Sequence, residues 1–94
     1  MAKFNPAYFV AGEVTDAYKV VTETNYFGEV SAVWSMPVNR PGKWTITRHD
    51  GRRQLDPLTF DNFGAALRVA NGYWATRAIW HEVDGRRIRV MGWN

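Results

Sequence analysis

The chain has 94 residues, no cysteine, two histidines, 15% aromatic residues and a formal net charge of +3. Its length makes a single domain over 1–94, since two would each approach the ~40-residue size below which chains usually need disulfides or a metal; the missing cysteines exclude a disulfide framework and thiolate zinc sites, and His49 and His81 stand too far apart for a zinc signature. No stretch approaches the ~18 apolar residues of a membrane span and the opening MAKFNPAYFVAG lacks a signal-peptide pattern, so the expectation is a cytoplasmic protein with no membrane partner.

In chain order, Tyr8-Phe9-Val10 opens a short apolar run and Lys19 to Thr24 is rich in β-branched residues. Glu29 to Met36 alternates, with Val30, Ala32 and Trp34 on one side and Ser31, Val33 and Ser35 on the other, the period-two pattern of a strand. Asn25-Tyr26-Phe27-Gly28 turns the chain between these runs. Pro37 and Asn39-Arg40-Pro41-Gly42 end the third in a loop. Two hairpins follow, one turning on Asp50-Gly51 and the other on Asp84-Gly85. Asp-Gly between alternating segments is a strong signal for a two-residue type I′ turn. Between the hairpins, Thr59 to Tyr73 predicts a helix, with Thr59 as N-cap, Asp61 in the first turn, and Phe60, Phe63, Leu67, Ala70 and Trp74 as its apolar stripe. Asn71-Gly72 marks its end. The fold class expected is α+β: an antiparallel β-sheet of about five to six strands with one α-helix, about 59–73, packed on one face.

The two-residue loops set a register. In the second hairpin Val83 pairs with Arg86, Glu82 with Arg87, His81 with Ile88, Trp80 with Arg89, Ile79 with Val90 and Ala78 with Met91. Ile79, Val83, Ile88 and Val90 then face the helix, with His81 among them as a core or boundary residue. Trp80, Glu82, Arg87, Arg89, Ala78 and Met91, joined by Trp93, face away. An arginine over the indole there gains ~0.5–1 kcal/mol. In the first hairpin the same rule pairs Arg48 with Arg53, Thr47 with Gln54 and Ile46 with Leu55. Like charges directly opposite destabilise unless an anion sits between them. Residues 40–53 hold Arg40, Lys43, Arg48, Arg52 and Arg53 against Asp50 alone, which marks this tip as a contact surface.

The second half of the chain carries eight basic groups, all arginine, against five acids. Arginine presents a planar fork suited to phosphate and carboxylate, so nucleic acid or an acidic protein surface is the partner class this distribution favours. Five tryptophans exceed what a small core needs, and one or two are expected at the surface. No phosphate loop, zinc-protease helix, nucleophile elbow or dinucleotide motif is present. The expectation is therefore no enzyme, and no catalytic, cofactor-binding or metal residues.

Gly42-Lys43-Trp44, the Gly51-Arg52-Arg53 turn, and Thr59-Phe60-Asp61 followed by Ala65-Ala66 and Ala70 carry a partial resemblance, over residues 26–74, to AP2-type DNA-binding domains. That resemblance implies a sheet face that reads DNA, with Trp44, Arg48 and Arg53 as contacts. In size, layout and charged aromatic surface the whole chain resembles small phage-encoded anti-defence inhibitors of the anti-CRISPR type, which implies a partner that is a host protein or ribonucleoprotein complex. The function expected is a non-enzymatic inhibitor that binds a host defence effector complex through Arg40, Lys43, Arg48, Arg52, Arg53, Trp80, Arg87 and Arg89. The alternatives are a DNA- or RNA-binding module and a scaffold component that self-associates through an edge strand; monomer and dimer both remain open.

Overall fold

A computed structural model describes residues 2–14 and 18–93. Among these are eight strands and one helix: β1 (Ala2–Phe4), β2 (Val10–Ala11), β3 (Tyr18–Thr24), β4 (Val30–Pro37), β5 (Lys43–His49), β6 (Gln54–Phe60), α1 (Phe63–Gly72), β7 (Thr76–Val83) and β8 (Arg86–Trp93). Five strands form one sheet in the order β1-β8-β7-β5-β6, and three form another in the order β2-β4-β3. All pairings are antiparallel. A mostly antiparallel fold with one helix is the expected class. The strand number is higher than expected, and the strands divide between two sheets. The chain passes from the small sheet to the large one between β4 and β5, at Pro37 to Gly42, where two prolines deny the ladder their N–H groups; β1, earlier in the chain, already belongs to the large sheet.

The chain is about 36 × 36 × 19 Å, two layers thick. The five-stranded sheet makes one layer. Its inner face carries Phe60, Trp44, His81 and Ile88 in one cross-strand row, and Leu58, Ile46, Ile79, Met91 and Phe4 in the next. The helix packs over β5, β6 and β7 through Phe63, Ala66, Leu67 and Ala70, which recur at helical spacing and are buried. The small sheet completes the layer. Its Trp34 stacks on Phe4 at 5.1 Å between ring centres, and Met36 and Val21 join the same core.

Three sequence expectations are corrected. The helix cap lies three residues later than predicted, at Asn62 instead of Thr59, its Oδ1 accepting from Ala65 N at 2.8 Å. Thr59 and Phe60 belong to β6, because Phe60 fills the inner face opposite Trp44. Trp74 lies beyond the helix instead of in its apolar stripe and is 78% exposed, one of the tryptophans expected to reach the surface. In the second hairpin, pairing holds from Val83–Arg86 to Trp80–Arg89, then slips at a bulge so that Ile79 meets Met91 and Ala78 meets Gly92. An extra residue in one strand exchanges the faces beyond it. Met91 and Trp93 thereby turn inward, and Gly92 outward.

Candidate binding surface

Period-two alternation builds the opposite face of the large sheet from three cross-strand rows. One holds Thr59, Thr45, Trp80 and Arg89; the next holds Lys43, Glu82 and Arg87; the third holds Thr47, Ala78, Gly92 and Lys3. Neither the helix nor the small sheet covers it: Lys3, Lys43, Glu82, Arg87 and Arg89 are all exposed. At the centre, Trp80 Nε1 donates to Thr47 Oγ1 at 3.1 Å, which lays the indole along the sheet. The Arg87 guanidinium carbon sits 4.5 Å from the centre of the Trp80 ring. Glu82 holds that guanidinium from the side, its Oε1 3.8 Å from Arg87 Nε and accepting from Thr45 Oγ1 at 3.2 Å. A half-exposed ion pair of this kind contributes ~0–1 kcal/mol; its effect here is to orient the arginine over the ring. Arg89 lies flat across Gly92, where a Cβ would collide with the guanidinium. The face therefore sets four cations, Lys3, Lys43, Arg87 and Arg89, against Glu82, with Asp61 Oδ1 3.9 Å from Lys43 Nζ at its margin.

The other predicted site residues go elsewhere. Arg40 turns onto the chain itself, with Nη2 donating to Ala7 O at 3.4 Å and the guanidinium 4.3 Å over the Tyr8 ring. Arg48 is not opposite Arg53. It pairs with Leu55, its Nε and Nη2 donate to Asp56 O at 3.2 and 2.6 Å, and its guanidinium lies 5.4 Å from the Tyr73 ring centre. No anion is needed to relieve a repulsion that does not arise. Arg52 and Arg53 are exposed in the β5–β6 loop, and their backbone N–H groups donate to Asp50 Oδ1 at 2.8 and 2.9 Å. Those two bonds, Arg53 first, hold the Asp50 carboxyl below its ordinary value. This loop lies at the far end of β5 from Lys43, ~20 Å away along the strand at ~3.3 Å per residue. Of the eight predicted residues, the fold thus gathers Lys43, Trp80, Arg87 and Arg89 on one face. It adds Lys3, whose place rests on β1 pairing with β8, a contact no local pattern announces.

Trp44, a contact residue under the AP2-type resemblance, is buried at 1% exposure. It stacks on His81 at 4.1 Å with an interplanar angle of 18°. His81 lies in the core side of the sheet as the register predicted, and both ring nitrogens are occupied. The Pro41 carbonyl 2.6 Å from Nε2 can only accept, so Nε2 donates to it, and Nδ1 shares a hydrogen bond of 2.6 Å with the Tyr8 hydroxyl. Gly42, at φ +119°, permits this approach: a Cβ there would stand 2.7 Å from both Glu82 O and His81 Nε2.

One surface feature escaped the sequence reading. The β3–β4 turn presents Tyr26 at 98% and Phe27 at 80% exposure, rings perpendicular at 5.5 Å. Asn25 Oδ1 holds the turn by accepting from Phe27 N and Glu29 N at 2.9 and 3.0 Å, and Gly28 takes φ +80°. The signal was present in Asn25-Tyr26-Phe27-Gly28: two aromatics inside a tight turn have no sheet face to bury them. Among the described residues no group of three or more His, Asp or Glu side chains stands together as a metal-ligand set, and no helix is long and apolar enough to cross a membrane. Comparison of the chain with protein-family models, with curated proteins and with solved structures gives no match.

Proposed function

We propose that the chain is a small non-enzymatic binding protein that docks the open face of its large sheet onto a host defence effector complex of the CRISPR type and blocks it. The observation that carries the reading is the Trp80–Arg87 stack. Tryptophan and arginine are the side chains that most often dominate interface energetics. A guanidinium already laid on an indole offers its donors to phosphate or carboxylate at little further ordering cost. Lys3, Lys43 and Arg89 surround it with charge that complements an acidic or nucleic-acid-binding partner. The inhibitory role rests on the likeness in size and layout to phage anti-defence proteins.

The test adds the purified chain to reconstituted effector complexes and follows target cleavage. Inhibition by the wild type that is relieved by Trp80→Ala and by Arg87→Glu supports the proposal. Inhibition unchanged in both variants rules the face out.

A second reading, direct DNA or RNA binding, draws on one feature: α1 backs the β6-β5-β7 part of the sheet and leaves the opposite face free, the layout implied by the AP2-type resemblance. Its contacts would be Trp80, Arg87 and the threonine rows rather than Trp44. Labelled single-stranded and duplex DNA and RNA at low and physiological salt separate the two readings. Binding that falls steeply with salt favours nucleic acid, since each phosphate contact releases counterion.

A further inference from the structure

The other layer holds a groove of about 540 Å³ in which none of the arginines or lysines takes part. One wall is β3 from Val21 through Thr24, continuing into Asn25 and Tyr26; the floor is Phe4, Met91 and Trp93 on the inner face of β1 and β8; Asn71 at the end of the helix closes the far side. Successive β3 residues line it, so the strand presents its edge to the groove as well as its side chains. β3 is the last strand of its sheet and, among the described residues, pairs only with β4. Alternate N–H and C=O groups along Val21 to Thr24, which line the groove, therefore have no backbone partner among the described residues.

We propose that this groove is a peptide-binding site, in which an extended segment of a partner protein adds to β3 as a further strand. The unpaired edge selects an extended backbone, because only a strand matches its donors and acceptors in alternation. The apolar floor selects apolar side chains at every second position. Glu23 selects the charge: it is the one ionisable acid or base of the lining apart from the Tyr26 hydroxyl. It shares the inward face with Val21, opposite Ala32 and Trp34 respectively. Trp34 Nε1 occupies its Oε1 at 3.1 Å, which leaves the second oxygen for a lysine or arginine of the ligand. The occupant is thus a short extended peptide with alternating apolar residues and one basic residue opposite Glu23. A whole second copy offering its own edge would bring a sheet into a space that holds one strand. This site is separate from the outer face, and Trp80→Ala should leave it intact.

The probe is acetyl-Val-Thr-Lys-Thr-Val-amide, which reads the same in either strand direction, followed by calorimetry and amide exchange on the full chain. The expected result is saturable binding that slows exchange in β3, with the peptide bearing Glu in place of Lys bound about fivefold more weakly, as expected for one cross-strand charge pair. Of two peptides N-methylated at alternate positions, the one blocked toward β3 should lose about tenfold and the other little. Glu23→Gln keeps the acceptor for Trp34 and should erase the preference for lysine over glutamate. Equal binding of the two N-methylated peptides, no preference for lysine, no binding at millimolar peptide, or a dimer in light scattering that the peptide does not dissociate would each overturn the proposal.

Discussion

Asp50-Gly51-Arg52-Arg53 and Asp84-Gly85-Arg86-Arg87 are the same four residues, and they fold differently. In the second, Asp84 and Gly85 take φ +52° and +72°, Val83 pairs with Arg86, and the turn is the two-residue type that Asp-Gly favours. In the first, His49 pairs with Gln54, so all four residues become loop. Asp50 there accepts from two backbone N–H groups of its own loop, while its own N–H donates to Arg53 O at 3.1 Å. The cause lies far from the turn. A two-residue loop would set Trp44 opposite Pro57 and push Leu58 outward beside Lys43. The longer loop slides β6 by two residues and a bulge between Ile46 and Arg48 adds a third, which brings Leu58 opposite Ile46 and Phe60 opposite Trp44. Leu58 and Phe60 are partly buried there against the core, and even half of the ~3–6 kcal/mol that full burial of two such side chains would give exceeds the difference between two turn types. The second hairpin meets no such conflict near its turn, so local preference prevails there. The lesson extends to function: Arg87 follows a regular turn onto a strand and reaches Trp80, whereas Arg52 and Arg53 stay in a loop with no aromatic beneath them.

The comparison breaks most visibly at its packed end. Trp44→Ala should lower unfolding free energy by ~3–5 kcal/mol in denaturant titrations, as for other large-to-small core changes; an unchanged midpoint would mean that Trp44 is not what the β6 register protects. Next in size is the contrast in binding. Arg87→Glu should weaken partner binding about thirtyfold, the scale of an interface hot spot, while Arg52→Glu with Arg53→Glu should change it about threefold, mostly through the association rate and its salt dependence. A reversed ranking would move the contact surface to the loop. The turns themselves respond differently to a β-branched residue. Asp84→Val must adopt positive φ and should cost ~1–2 kcal/mol, while Asp84→Gly should be nearly neutral; at position 50 the order inverts in kind, because Asp50→Gly removes the acceptor for two N–H groups and should lower the thermal midpoint. Smallest is the acid effect. The folded-state value of Asp50 is depressed, so its contribution is present above the unfolded value and is lost as pH falls through the folded one. The thermal midpoints of wild type and Asp50→Ala should therefore converge in strong acid, and an NMR titration should place the Asp50 carboxyl below that of a free aspartyl peptide.

Much of the candidate surface was legible because it rests on one strand pair with a regular turn. Trp80 opposite Arg89, Glu82 opposite Arg87, and His81 turned inward all follow from alternation counted back from Asp84-Gly85, and they stand in the structure as counted. Alternation also told which face of Glu29 to Met36 would carry Trp34. These features depend on neighbours within a few residues, where side-chain period and turn chemistry leave little freedom. The helix start was misread for the opposite reason: Thr59 and Asp61 make a plausible first turn in isolation, but a β6 long enough to reach Trp44 claims Thr59 and Phe60 first.

What the sequence by itself determined is the set of local elements, the sign and place of the arginine excess, and the face of the second hairpin on which Trp80 and its arginines lie. Tertiary structure alone decided that β1 pairs with β8 and brings Lys3 to that face, that β2, β3 and β4 form a separate sheet with an open β3 edge, and that the first Asp-Gly yields its turn to the core. The physical reason is common to all three. Pairing between strands distant in sequence, and the choice between competing registers, are settled by the total apolar surface removed from water, a sum over the whole chain that no local window contains.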